Sequence, residues 1–473
     1  MAKGTVLVVD LDGTLLRSDM LHESFWSAFA RDWMTPFGAI KALGAGKAAL
    51  KSYLAAKSDI DFATLPYDAE VVQRVKDWRA AGGKTALVTA THQSLADGVG
   101  AELGLFDDVI GTQAETNLKG AAKADRLVSL YGEGGFIYMG DHAADVAIWK
   151  HAAKAITVNA SGATRAAVRC SGEIEHLDTL KPSLRPYMKA IRPHQWLKNI
   201  LVFLPILAAH QVTFGSFFTS LLAFISFSLI ASSVYVTNDL LDLAGDRAHP
   251  RKCKRPFAAG TIPIRFGGTM AGGLLAAGCL TAALLGWQFF LVMIGYYVLT
   301  TAYSLYLKRR LLVDIIALAC LYTVRILAGA AASGLHLTVW LLAFSVFFFL
   351  SLAAVKRQAE LVDGIKAGKA KAHGRGYEAG DLMMVAMMSI SAGYTSVLVM
   401  ALYLNSPAVT QLYKSPSVLW GICIVMIYWL SRMAMMTHRG RMHDDPVVFA
   451  AKDKVSLSCF ALIFCIALIG KFF

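Results

Sequence analysis

The spacing of apolar residues changes near residue 180. Before that point short β-branched or aromatic runs alternate with stretches of helical periodicity: Val6–Val9, Thr85–Val88, Val109–Ile110, Phe136–Met139 and Ala155–Val158, each bounded by glycine or polar turns. Such alternation predicts a parallel sheet wrapped by helices. Ligands of such sheets sit beyond the carboxyl ends of the strands, and those ends carry Asp10 and Asp12, Thr89, and Asp141. A helical insertion of roughly 50 residues between the first two runs places Trp26, Phe29, Trp33 and Phe37 near one helix face. It fits either a packed cap or a lid that touches a membrane.

Beyond residue 180 the pattern becomes long apolar stretches. Ser183 to Lys198 is basic and aromatic, with Arg185, Tyr187, Lys189, Arg192, Trp196 and Lys198, as suits a helix lying in a membrane interface. About nine membrane-length segments follow, near 199–214, 216–237, 266–286, 288–306, 312–332, 337–355, 382–404, 417–436 and 454–473. The chain thus divides into an α/β domain with a small helical cap (1–180), an interfacial linker (181–198) and an all-α polytopic membrane domain (199–473). The small-residue run Gly329–Ala332 and the pair Gly268/Gly272 are expected to serve helix packing.

Charge follows the same division. Up to residue 180 there are 18 Lys and Arg against 22 Asp and Glu, and beyond it 28 against 11. The surplus sits in short loops, with 6 basic residues in 239–265, 3 in 307–313, 6 in 356–381 and 5 in 431–454, while the loops on the other side hold only Lys414. By the positive-inside rule these four loops face the cytoplasm of an inner or plasma membrane, together with the N-terminal domain, and Phe473 ends outside. The same distribution argues against nucleic acid as a partner and for lipid headgroups or phosphorylated substrates. Seven scattered cysteines lack zinc-like spacing and indicate a reduced compartment. The run Thr5–Val9 is too short, and too soon followed by Asp10, for a signal peptide.

Asn238, Asp239, Asp242 and Asp246 sit at helical spacing where an apolar segment ends. Their hard oxygen donors suit Mg²⁺, which completes its shell with waters and substrate phosphate oxygens. The basic run Arg247, Arg251, Lys252, Lys254 and Arg255 beside them suits phosphate. Arg325, midway along an apolar segment, is costly there unless it faces a polar substrate cavity or an ion pair.

The ordered set Asp10-Leu11-Asp12-Gly13-Thr14, Thr89 after Leu87-Val88, Lys119, and Gly140-Asp141-His142-Ala143-Ala144-Asp145 resembles the haloacid dehalogenase-like phosphohydrolases over the first ~180 residues, with their Rossmann-like fold. The resemblance implies Asp10 as nucleophile, Asp12 as general acid and base, Thr89 and Lys119 on the phosphoryl oxygens, and one Mg²⁺ held by Asp10, Asp12, Asp141 and Asp145. Lys123, at the start of the same helix, is an alternative to Lys119. A domain kept for regulation is the competing interpretation.

The membrane half resembles the UbiA superfamily of prenyltransferases in its spans and in Asn238, Asp239, Asp242 and Asp246. In place of that family's second aspartate-rich motif the chain reads Tyr303-Ser304-Leu305-Tyr306-Leu307-Lys308-Arg309-Arg310-Leu311-Leu312-Val313-Asp314. That stretch, with Arg192-Pro193-His194-Gln195-Trp196-Leu197-Lys198-Asn199, Asp246 through Gly260, and Lys356-Arg357-Gln358-Ala359-Glu360-Leu361, is similar to the decaprenyl-phosphate phosphoribosyltransferase branch. The resemblance implies a second Mg²⁺, with polyprenyl phosphate and phosphoribosyl diphosphate as substrates. Candidate substrate contacts are Lys198, Arg247, Arg255, Tyr303, Lys308, Asp314, Arg325, Lys356 and Arg357. The expected function is transfer of 5-phosphoribose to the lipid followed by loss of the 5-phosphate. The competing expectation is an aromatic prenyltransferase fused to an unrelated or regulatory phosphatase domain. Homo-oligomers are compatible with either.

Overall fold

Six parallel strands in the order β3-β2-β1-β4-β5-β6 form the N-terminal sheet of the computed structural model. They are β1 (Val6–Val9), β2 (Lys84–His92), β3 (Asp108–Thr112), β4 (Phe136–Gly140), β5 (Lys154–Val158) and β6 (Ile174–Leu177). The structure describes residues 5–113, 118–170, 172–180, 183–366, 368, 376–442 and 445–472. All five predicted runs are strands. The sixth was not foreseen, because an edge strand carrying Glu175 and His176 presents no apolar run. β1 lies between β2 and β4, so successive strands are laid down on opposite sides of it and a crevice opens at its carboxyl end. Val8, Val88, Tyr138 and Trp149 pack one face of the sheet, and Leu7, Val9, Val71 and Val99 the other.

Three helices, α1 (Met20–Arg31), α2 (Thr35–Gly44) and α3 (Lys47–Lys57), form the insertion between β1 and β2. Asp19 caps α1 by accepting from the Leu21 and His22 N–H groups. Helix α4 (Ala69–Ala80) is capped by Asp68, and α5 (Gln93–Leu103) and α6 (Ala121–Tyr131) complete the wrapping around the sheet.

Among the described residues eight helices are long and apolar enough to cross a membrane: Phe214–Leu241, Arg265–Leu284, Trp287–Leu305, Val313–Ser333, Val339–Lys366, Ala379–Leu404, Pro416–His438 and Lys454–Phe472. The predicted first span, 199–214, is not one of them. It is a 3-10 helix, Pro193–Phe203, followed by a short α-helix, Leu204–Ala208, entered through Pro205, and the chain leaves it at His210 with φ 54°. At roughly 2.0 Å per residue for the first part and 1.5 Å for the second, this segment extends at most about 30 Å. Phe473 lies outside the described residues. By contact density the chain forms two compact units, Met1–Arg192 with Tyr235–Gly272, and Pro193–Val234 with Gly273–Phe473.

Small residues mark the close approaches, although not all at the expected positions. A Cβ on Gly329 would fall on the Val202 carbonyl oxygen, so this glycine seats the 3-10 segment against the helix Val313–Ser333. Gly272 faces open space and Gly268 meets only Trp26, at 3.9 Å. The tight contacts belong instead to Gly267, whose Cβ would lie 2.6 Å from a Leu240 methyl, and to Gly278, whose Cβ would lie 2.5 Å from Ile230. Sequence spacing located the small-residue face but missed its register. Gly329→Ala is therefore expected to destabilise the protein by about 1–3 kcal/mol through overpacking, read as a lowered Tm in detergent, whereas Gly272→Ala should leave the Tm unchanged or raise it slightly. Equal melting of the two variants would contradict this packing.

Candidate active sites

The chain turns sharply after β1. Gly13 adopts φ 75°, and a Cβ there would strike the Asp141 carboxylate, so the turn brings the first strand's loop against the fourth's. Asp10, Asp141 and Asp145 each offer a carboxylate oxygen, all within 4.8 Å of one another. Lys123, almost wholly buried, donates to Asp10 Oδ1 at 2.8 Å and to the Tyr138 hydroxyl at 2.7 Å, and that hydroxyl donates to Asp145 Oδ1 at 3.2 Å. Asp12 accepts from the Met20 N–H at 2.7 Å and from the Thr91 hydroxyl at 2.8 Å.

Burial and the neighbouring Asp10 and Asp145 charges push the Asp141 carboxyl up to about 8, and burial followed by Asp10 raises Asp145 to about 6. One ammonium against three carboxylates leaves an excess of negative charge that a divalent cation would balance, and the donor set is all hard oxygen. Burial, followed by the nearby Asp19 charge, raises Asp12 to about 7, the range in which a carboxyl both gives and takes a proton near neutrality.

Sequence reasoning placed Asp10, Asp12, Asp141 and Asp145 in this site, and the structure brings them together. Thr89 is fully buried and its oxygen accepts from the Thr91 N–H, so the hydroxyl that borders the cavity is that of Thr91. Lys119 lies exposed at the cavity, while the ammonium on Asp10 belongs to Lys123, the alternative the helix start left open. The cavity, about 1330 Å³, extends from Asp10 past Lys47 and Lys51 of the cap to Thr261, Pro263 and Arg265.

The acidic motif straddles a helix end. Asp239 closes the helix Phe214–Leu241, and Asp246 lies on the next short helix, Leu243–Ala248. Asp239, Asp242 and Asp246 do not converge as the first three carboxylates do, among the described residues. Arg255 Nη1 instead bridges Asp239 Oδ1 at 3.0 Å and Asp246 Oδ2 at 2.6 Å, and Arg192 also donates to Asp239. Arg255, expected on phosphate, is engaged by carboxylates here.

Arg247 departs further from expectation. Both its terminal nitrogens reach Glu23 of α1, at 2.5 and 3.1 Å, and its Nε donates to the Ala258 carbonyl at 3.2 Å. Both side chains are buried, and the Ser18 hydroxyl donates to the same carboxylate at 2.5 Å. The bidentate carboxylate answers the cost of burying this guanidinium, so Arg247 is a strut to the cap and not a free phosphate ligand.

In the second unit Lys198 and Lys356 share Asp445 Oδ2 at 2.7 and 3.1 Å, and the Tyr322 hydroxyl donates to the same carboxylate at 3.0 Å. The two lysines were expected; Asp445 and Tyr322 were missed. An acid standing directly before Pro446 in a loop otherwise rich in cations was the available signal. Arg357 and Asp314 are each other's partners at 2.6 Å, both fully buried, with the Tyr377 hydroxyl on Asp314 at 2.6 Å. They form an internal brace and not exposed substrate contacts. Arg325 Nε donates to Asn199 Oδ1 at 3.0 Å and its guanidinium lies 4.9 to 5.7 Å from the rings of Phe227, Tyr322 and Tyr296, an aromatic cage that, with no carboxylate partner among the described residues, answers the cost of a membrane arginine. Tyr303 is half-buried against the cluster containing Tyr377, and Lys308 is half-buried on the turn Leu307–Arg309.

Comparison with known proteins agrees with both halves. The UbiA prenyltransferase family model matches residues 200–452, and that of the haloacid dehalogenase-like hydrolases matches residues 7–150. The chain is 38% identical over 461 residues to the protein y4nM of Sinorhizobium fredii, covering 97% of this chain and 89% of that one. It is 38% identical over 179 residues to the decaprenyl-phosphate phosphoribosyltransferase of Mycobacterium tuberculosis, covering 37% of this chain and 59% of that one. A solved UbiA homolog from Archaeoglobus fulgidus bound to DMAPP and Mg²⁺ is 16% identical, with a TM-score of 0.46 over 60% of this chain and 99% of that one. With its family match covering more than half the sequence and a hydrolase domain preceding it, the chain belongs to the UbiA prenyltransferase family, as a multi-pass membrane member fused to a haloacid dehalogenase-like domain.

Proposed function

We propose that this chain transfers 5-phosphoribose from phosphoribosyl diphosphate to a polyprenyl phosphate and then removes the 5-phosphate, leaving polyprenyl-phosphoryl-ribose at the cytoplasmic leaflet. The observation that carries the two-step reading is the cavity around Asp10, whose wall includes Thr261, Pro263 and Arg265 from the segment that follows the acidic motif. A phosphatase acting on an unrelated metabolite has no need of a wall supplied by the transferase half. The choice of pentose donor is supported by the similarity to decaprenyl-phosphate phosphoribosyltransferase and by Lys308, Arg309 and Arg310 standing where a second aspartate-rich motif is absent.

In the transfer step a lipid phosphate oxygen bonds to C1 of the ribose as the C1 bond to diphosphate breaks. Mg²⁺ held by Asn238, Asp239, Asp242 and Asp246 would stabilise the leaving diphosphate. Arg192, paired with Asp239, and Arg255, which bridges Asp239 and Asp246, would exchange these carboxylates for phosphate oxygens. Lys198 and Lys356 present two cations to one carboxylate, a net positive charge suited to the remaining phosphates. In the hydrolytic step an Asp10 oxygen attacks phosphorus while Asp12 gives its proton to the departing ribose 5-oxygen. Asp12 then takes a proton from the water that cleaves the aspartyl-phosphate, and inorganic phosphate leaves. A second Mg²⁺, on Asp10, Asp141, Asp145 and the backbone of Asp12, would neutralise the phosphoryl oxygens; Lys123 holds Asp10 in place.

Asp242→Asn is expected to abolish pentose transfer while sparing hydrolysis of p-nitrophenyl phosphate, and Asp10→Asn to do the reverse; loss of both activities in either variant would contradict two separate sites. Asp445→Asn removes the charge shared by Lys198 and Lys356 and should lower kcat/KM for transfer by about 10- to 100-fold, the scale of hydrogen bonds to charged groups, without altering hydrolysis. Transfer at the parental rate would exclude these lysines from substrate binding. Arg265→Ala should slow dephosphorylation of the lipid-linked ribose 5-phosphate by at least about tenfold and leave p-nitrophenyl phosphate unaffected. An equal effect on both substrates would contradict a role for this wall in selecting a lipid-linked substrate.

A further inference from the structure

The cap presents an apolar face that no other described residue covers. On α2, Phe37 is 62% exposed and Ile40 70%, with Leu43 also exposed, and Trp33 just before the helix is 69% exposed with its ring edge-on to Phe37 at 6.5 Å. The opposite side of α2 is packed: Thr35 and Ala39 are buried, and a Cβ on Gly38 would strike Tyr53 of α3. Large apolar side chains gathered on the outward face of a helix call for an occupant. The composition around them is one-sided, since residues 33–58 contain Lys41, Lys47, Lys51 and Lys57 and no acid. Lys41 and Lys47 are exposed beside the apolar face.

The preceding helix shows where this face lies. Glu23 of α1 is locked to Arg247, five residues beyond Asp242, and Trp26 of α1 lies against Gly268 at the start of the helix Arg265–Leu284. Ser27, Ala30 and Arg31 border a small cavity with Leu240 and Leu241, the last residues of the helix Phe214–Leu241. Helix α1 therefore rests on the ends of two membrane-spanning helices, and α2 follows it after a turn of three residues, Asp32 to Met34. Aromatic and aliphatic residues on one face, flanked by lysines, at the level where two spans leave the membrane, match an interfacial helix.

We infer that α2 docks on the lipid bilayer, with Trp33, Phe37, Ile40 and Leu43 in the boundary between headgroups and acyl chains and Lys41 and Lys47 on anionic headgroups. Lys47, which opens α3 directly after this face, also borders the cavity that holds Asp10. The docked cap thus opens the hydrolytic cavity beside the surface that carries a lipid-borne phosphomonoester. The inference stands on the cap and the span ends and does not depend on which sugar the transferase uses.

The test replaces Phe37 with p-benzoylphenylalanine in the full chain, reconstituted in nanodiscs containing phosphatidylglycerol, and analyses the photoproducts by peptide mass spectrometry. The same substitution at Leu130, an exposed position on α6 of the sheet domain, is the reference. A phospholipid adduct on the peptide containing residue 37 and none at 130 is expected, with hydrolysis of p-nitrophenyl phosphate retained as proof of folding. A cross-link from position 37 to a second copy of the chain, no adduct, or equal adducts at both positions would overturn the inference.

Discussion

Negative charge gathered away from water must be balanced, and both halves of this protein are organised around that requirement. In the hydrolase domain Asp10, Asp141 and Asp145 converge within 4.8 Å against a single buried ammonium, Lys123. Burial, and after it the repulsion of neighbouring carboxylates, holds Asp141 and Asp145 above the usual range, and a bound cation would relieve both. At the membrane end of the helix Phe214–Leu241 the balance is struck by arginines, with Arg255 bridging Asp239 and Asp246. The first arrangement needs a divalent cation to be neutral; the second holds arginines that a diphosphate would attract.

The same rule explains how the cap and the acidic motif are tied. Glu23 and Arg247 are each costly when buried alone and acceptable as a bidentate pair. Their pairing joins the first cap helix to the segment that carries Asp246, so the hydrolytic cavity and the motif share a frame. Thr261 and Arg265, a little further along that segment, reach the cavity that encloses Asp10. The cavity around Asp10 is thus walled in part by the segment that follows the acidic motif.

Much of this was legible in the sequence. The five apolar runs became strands because continuous β-branched segments are what the centre of a parallel sheet requires, and the acidic residues that follow them could only fall at one edge. The edge strand β6 escaped because half of its residues meet water. Partners were harder to foresee than positions: Arg247 and Arg255 announce positive charge near an acidic motif, but a sequence does not say whether a guanidinium faces Glu23, Asp239 or a ligand. Asp445 was overlooked for the same reason, being one of two adjacent loop acids whose significance rests on Lys198, some 250 residues earlier in the chain. Thr91 was displaced from view by Thr89, since two residues along a regular strand share a face, whereas here the register shifts between Val88 and His92 and it is Thr91 that borders the cavity.

The most direct measurement of the central claim follows two labels through one reaction. Purified protein with Mg²⁺ and polyprenyl phosphate would receive phosphoribosyl diphosphate carrying ¹⁴C in the ribose and ³²P in the 5-phosphate. The account predicts a lipid that gains ¹⁴C without ³²P, with the ³²P released as inorganic phosphate in equal amount. A lipid that keeps both labels would show transfer without coupled hydrolysis, and a lipid that acquires neither would contradict the pentose-transfer reaction itself.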